Sequence, residues 1–153
     1  MDTSLTGRRA LVTGAADGIG REIALAYARE GATVAVHGRN AERIAGTLEA
    51  IESAGGRATV AIADLANEEA INTMCAKLLD ELGGLDILVN NAGICTLQDT
   101  STMASETWNL IISTNLTAPF LITRALYSAL VDARTDGRVI FISSIAAGAH
   151  ASG

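Results

Sequence analysis

The sequence predicts a doubly wound α/β fold on a parallel sheet with strand order 3-2-1-4-5. Three observations lead there. Five short apolar runs alternate with longer amphipathic stretches along the chain. The runs are continuously apolar, as in strands covered on both faces, rather than alternating as in a half-exposed sheet. A glycine-rich turn joins the first run to the first amphipathic stretch. In open α/β sheets ligands bind beyond the carboxyl ends of the strands, where the strand order reverses.

The elements follow in order. Residues 8–12 read as the first strand, and 18–30 as a helix with Ile19, Ile23, Ala26 and Tyr27 on one face. Gly31 is placed to stop that helix. Residues 33–36 form the second strand and about 41–53 the second helix, before Gly55-Gly56 breaks the chain. The third strand covers 58–63. Asn67 is an N-cap, with Glu68 and Glu69 in the first turn of a helix running to about residue 82. Residues 85–89 make the fourth strand, 96–102 a looser segment, about 104–133 one long helix, 138–142 the fifth strand and 148–153 a loop.

Composition narrows the function. The chain has 153 residues, 49% apolar and 18% charged, which suits one globular domain over 1–153 that buries roughly 70% of its unfolded surface. A net charge of −6 with no basic run excludes a nucleic-acid or anionic-membrane surface. No apolar run is long enough to span a bilayer, and Met1-Asp2-Thr3-Ser4 lacks the basic start of a secretory signal. Cys75 and Cys95 fall in different elements and match no metal spacing. They read as reduced thiols, so a cytoplasmic protein with no metal is expected.

The turn Thr13-Gly14-Ala15-Ala16-Asp17-Gly18-Ile19-Gly20 follows the first strand directly. Gly14 allows the sharp turn, Gly18 lets backbone approach a pyrophosphate, and Gly20 allows close helix-to-strand packing at a helix N-terminus that favours an anion. The competing reading is a purely structural strand-to-helix turn. About 20 residues on, where such folds read the ribose, the second strand ends in His37-Gly38-Arg39. A carboxylate there would accept from a 2′-hydroxyl and repel a 2′-phosphate. Gly38 and Arg39 stand there instead, and a guanidinium can pair a phosphate bidentately.

The spacing Gly-x-x-x-Gly-x-Gly, together with Asn90-Asn91-Ala92-Gly93 after the fourth strand, resembles the short-chain dehydrogenase/reductase family. Asp64-Leu65, Asn115 and Ser143-Ser144 are in register with the same pattern, so the resemblance covers essentially the whole chain. It implies a Rossmann-type dinucleotide-binding domain of an NAD(P)-dependent oxidoreductase, passing hydride between the cofactor and a carbonyl or alcohol substrate. It implies cofactor contacts from Gly14, Ala16, Asp17, Gly18, Ile19, Gly20, Arg39, Asp64, Leu65, Asn91, Ala92 and Gly93. Asp64 would accept from the adenine amino group, and Leu65 would cover the ring edge. The Gly38-Arg39 pair is similar to that of members using NADP(H) in preference to NAD(H). Asp17 departs from that type, where a basic residue is common.

For catalysis the resemblance implies Ser144, orienting the substrate carbonyl, and Asn115, anchoring a water in a proton relay. Pro119 offers no N–H to the carbonyl of Asn115, so a kink is expected there. The family's Tyr-x-x-x-Lys pair would fall beyond Gly153. Lys77 is the only lysine in the sequence and lies far from every motif. The resemblance therefore implies an incomplete domain, truncated before strands 6 and 7 and inactive alone. It also implies small-molecule substrates and a parent that is a homodimer or homotetramer. The alternative is a non-enzymatic dinucleotide-binding or regulatory fragment.

Overall fold

The computed structural model describes residues 4–133 and 137–144. Five parallel strands, β1 (Arg9–Val12), β2 (Thr33–Gly38), β3 (Arg57–Ile62), β4 (Ile87–Asn90) and β5 (Arg138–Phe141), form one sheet in the order 3-2-1-4-5. The helices between them are α1 (Gly18–Arg29), α2 (Ala41–Ser53), α3 (Glu68–Leu82), α4 (Ser105–Ile112) and α5 (Ala118–Val131). The fold class and strand order are those the apolar runs predict. The loop expected over 148–153 lies outside the described residues.

Side chains alternate across the sheet and feed two cores. On one face Ala10, Val12, Val34, Val36 and Val89 pack with Ala24 and Ala28 of α1 and Ile44 and Ile51 of α2. On the other, Leu11, Ala35 and Leu88 pack with Ile71, Met74 and Leu78 of α3 and Leu121, Ile122 and Leu126 of α5. Both faces of β1 and β4 are thus buried, which is why these strands carry no polar alternation. Each buried Val, Leu, Ile or Met side chain among them contributes about 1.5–3 kcal/mol on leaving water.

Local signals end the elements as expected. The Asn67 side chain accepts from the Ala70 amide, and Asn40 caps α2 by accepting from Arg43 N–H. Gly31 takes φ +93° just after α1. At the opposite end of the sheet, Asp86 ties β1 to β4: its carboxylate accepts from the Arg9 amide at 2.9 Å and from Arg9 Nε at 2.8 Å. Burial disfavours the charged carboxylate, but the Arg9 hydrogen bonds and charge outweigh it and hold the Asp86 pKa below its ordinary value.

One element differs in form. The single helix expected over about 104–133 is divided into α4, a π-helical turn at Ser113–Thr117 and α5. Pro119 sits in the first turn of α5, where a missing N–H costs least, and the wider turn before it absorbs the mismatch. β5 pairs with β4 alone among the described residues, and Val139, Ile140 and Phe141 are exposed.

Candidate functional site

The carboxyl ends of β1, β2 and β4 meet where the strand order reverses, and two loops interlock there. Thr13, one residue past β1, donates its hydroxyl to Val89 O and accepts from the amides of Asn91 and Ala92 at 2.9 and 3.0 Å. Asn91 Nδ2 returns to the carbonyls of Thr13 and Gly14 at 2.9 and 3.2 Å. The glycines are required by this contact. Gly14 has φ +63°, and a Cβ on it would lie 2.9 Å from Ala92 Cα. A Cβ on Gly20 would overlap the Gly14 carbonyl and Asn91 Nδ2.

A second set of bonds holds the turn from the side of β2. The Gly14 amide donates to His37 Nδ1 at 3.0 Å, while His37 Nε2 bonds to Ala63 O at 3.2 Å. An accepting Nδ1 places the ring proton on Nε2, so the neutral tautomer bridges the glycine turn to the end of β3. Burial pushes this imidazole pKa down to about 4 against the opposing pull of the Ala63 bond. From α2, the Thr47 hydroxyl donates to Ala15 O at 2.9 Å.

Above this floor lies a cleft of about 610 Å³. Gly14, Ala16, Asp17, Gly18, Ile19, Gly20, Arg39, Asp64, Leu65, Asn91, Ala92 and Gly93 all line it. A Cβ on Gly18 would meet nothing within 4 Å, so the backbone at the start of α1 is open to a ligand. Ile19 is 65% exposed at the mouth, an apolar surface left for a ligand to cover. An elongated phosphate-bearing molecule fits these donors: the α1 N-terminus, the bare glycine backbone and the Arg39 guanidinium just past β2. Asp64 already accepts from the Ala66 amide at 3.0 Å with one oxygen, leaving the other for a ligand.

Asn115 and Ser144 stand apart from the walls of the cleft. Asn115 lies in the π-helical turn, and its side chain grips one residue: Oδ1 accepts from the Ile94 amide and Nδ2 donates to the Ile94 carbonyl, both at 2.8 Å. The paired bonds fix the chain just beyond Gly93. Ser144 lies three residues past β5, exposed at the same carboxyl end of the sheet.

His37, Arg43 and Thr47 were missed by sequence reasoning. His37 had a signal, a polar residue within an otherwise apolar strand. Arg43 had another, a cation in the first turn of α2, where the helix dipole disfavours it. Thr47 had none.

The sequence and the overall fold are similar to those of known proteins. A family model described as short chain dehydrogenase matches residues 8–153. Gluconate 5-dehydrogenase of Gluconobacter oxydans is 36% identical over 142 residues, covering 93% of this chain and 55% of that protein. The crystal structure of a metagenomic short-chain oxidoreductase in complex with NADP superposes with a TM-score of 0.88 at 38% identity, over 94% of this chain and 65% of that one. A 7α-hydroxysteroid dehydrogenase complexed with NADH and 7-oxo glycochenodeoxycholic acid gives 0.90 at 29% identity, over 96% and 57%. The chain spans little more than half the length of the curated relative.

Proposed function

Because this chain belongs to the short-chain dehydrogenase family, we propose that it forms the dinucleotide-binding domain of an NADP(H)-dependent oxidoreductase acting on a small carbonyl or alcohol substrate. One observation carries the reading. The glycine turn and the Asn90–Gly93 loop lock together as the floor of a cleft whose ribose end presents Arg39 instead of a carboxylate. The NADP complex of a similar protein supports the choice of cofactor, while the NADH complex of another shows that the scaffold alone does not decide it.

When bound, the nicotinamide supplies or accepts the hydride. The residues of this chain bind, orient and shield. The α1 N-terminus and the Gly18 backbone hold the pyrophosphate, Asp64 and Leu65 receive the adenine, and Arg39 pairs the 2′-phosphate. Asn91, Ala92 and Gly93 line the nicotinamide side. Ser144 donates its hydroxyl to the substrate carbonyl. Asn115 positions the Gly93–Ile94 backbone that borders the site, and its own carbonyl, which Pro119 cannot serve in the α-helical register, would be offered to a water.

The exposed side chains of Leu116 in the π-helical turn and of Phe120, Tyr127 and Val131 along α5 support assembly with further copies of the chain. The two free cysteines support a cytoplasmic setting.

The test is turnover by the whole protein with NADPH and a panel of small ketones and oxoacyl thioesters. Ser144→Ala is expected to lower kcat by orders of magnitude while leaving the NADPH dissociation constant nearly unchanged. Turnover that survives Ser144→Ala but not Ser143→Ala would move the role to Ser143. Cofactor binding with no turnover of any carbonyl or alcohol would favour a non-enzymatic binding protein.

A further inference from the structure

Asp17 stands in the glycine turn at the mouth of the cleft, where an acidic group works against a phosphorylated ribose. The structure shows where its charge goes. Asp17 Oδ2 accepts from Arg43 Nη2 at 3.3 Å, bridging the glycine turn to the first turn of α2. Asp17, Arg39 and Arg43 all line the cleft, with Arg39 just past β2 and Arg43 in the first turn of the helix that follows it. Arg43 is also held from behind, because its amide donates to the Asn40 side chain that caps α2. Both ends of the ion pair are solvent-accessible, and an exposed pair of this kind adds little net stability and opens at little cost.

We propose that Asp17 and Arg43 form a latch on cofactor choice. The 2′-phosphate of the dinucleotide and the Asp17 carboxylate compete for the Arg43 guanidinium, so Arg43 is a second phosphate ligand and Asp17 limits its use. The inference rests on the NADP(H) reading above. The chemistry favours the exchange, since a phosphate monoester carries more charge than a carboxylate and offers three acceptor oxygens to a planar fork of donors. The latch also gives a reason for a cation at the start of α2, which the helix dipole alone would disfavour. When the 2′-position carries only a hydroxyl, Arg43 stays with Asp17 and contributes nothing to binding.

The test is calorimetric titration of the protein with 2′,5′-ADP and with 5′-ADP, which differ at the ribose 2′-position. In the unsubstituted protein 2′,5′-ADP binds more tightly. Arg43→Gln weakens 2′,5′-ADP by about fivefold or more and leaves 5′-ADP within about twofold. Asp17→Asn tightens 2′,5′-ADP by a few fold, again with little change for 5′-ADP. Circular dichroism of each variant confirms the fold, and Arg43→Lys restores part of the lost affinity. Two results would overturn the proposal in different ways. Equal binding of the two nucleotides by the unsubstituted protein overturns the cofactor reading together with the latch. A preference for 2′,5′-ADP that is abolished by Arg39→Ala but unmoved by Arg43→Gln and Asp17→Asn overturns the latch alone.

Discussion

The Gly14 amide donates to Nδ1 of His37, so the first sharp bend of the glycine turn is held by a buried imidazole from the neighbouring strand. The arrangement works only while that nitrogen is unprotonated. Protonation would replace the acceptor with a second N–H pointing at the Gly14 amide, on a ring that is buried.

Stability should therefore fall with pH over a defined window. The His37 pKa is lowered in the folded chain to about 4 from an ordinary 6.5. Between those values the unfolded chain binds a proton that the folded chain refuses, so the contribution is complete above about pH 6.5 and lost as pH falls toward 4. The gap corresponds to about 3 kcal/mol. Urea midpoints measured from pH 4.5 to 7 should slope upward, and His37→Asn, whose side-chain oxygen can still accept, should flatten the slope. An identical slope in both proteins would remove His37 from the explanation.

Two alanine substitutions at helical glycines should act in opposite directions. At Gly20 the new methyl would overlap the Gly14 carbonyl and Asn91 Nδ2, separating the interlocked loops at a cost of about 1–3 kcal/mol. At Gly46 on α2 a methyl meets nothing within 4 Å, and the change should stabilise by roughly 0.4–1 kcal/mol. Chemical denaturation of both variants checks the pair, and a Gly20→Ala protein as stable as the parent would contradict the close packing of Gly20 on Gly14 and Asn91.

Breaking the Arg9–Asp86 tie should destabilise without touching the cleft. Asp86 is buried while Arg9 is partly exposed, so Asp86→Ala strands less than a fully buried charge would. A loss of about 2–3 kcal/mol is expected, with dinucleotide affinity preserved once the variant is folded. A large change in affinity at full stability would show that the two ends of the sheet are coupled.

The two cysteines should separate cleanly. Burial pushes the Cys75 thiol up to about 12, whereas Cys95 is exposed beyond the Asn90–Gly93 loop. Ellman's reagent at neutral pH should label one thiol in the native protein and both in denaturant. Rapid labelling of Cys75 in the native state would mean that α3 opens from the sheet.

How far the sequence carried these conclusions depends on range. The continuous apolar runs gave all five strands and, with right-handed crossovers, their order. Asn67 and Gly31 marked helix ends because capping is local chemistry. The division of the long helix was only half legible. Pro119 announced a kink, but apolar spacing does not distinguish an α-helical turn from the π-helical turn that accommodates it. The contacts that shape the cleft lie farther apart in sequence: His37 to Gly14, Thr47 to Ala15 and Arg43 to Asp17. Each joins residues from separate elements, and no local spacing encodes such a pair before the sheet brings them together.

If this cleft takes a 2′-phosphorylated dinucleotide, equilibrium binding to the protein should separate NADPH from NADH. NADPH should bind more tightly, and Arg39→Ala should remove about 1–3 kcal/mol of that affinity with NADH little changed. Equal affinity for the two cofactors before any substitution, or a preference for NADH, would contradict it.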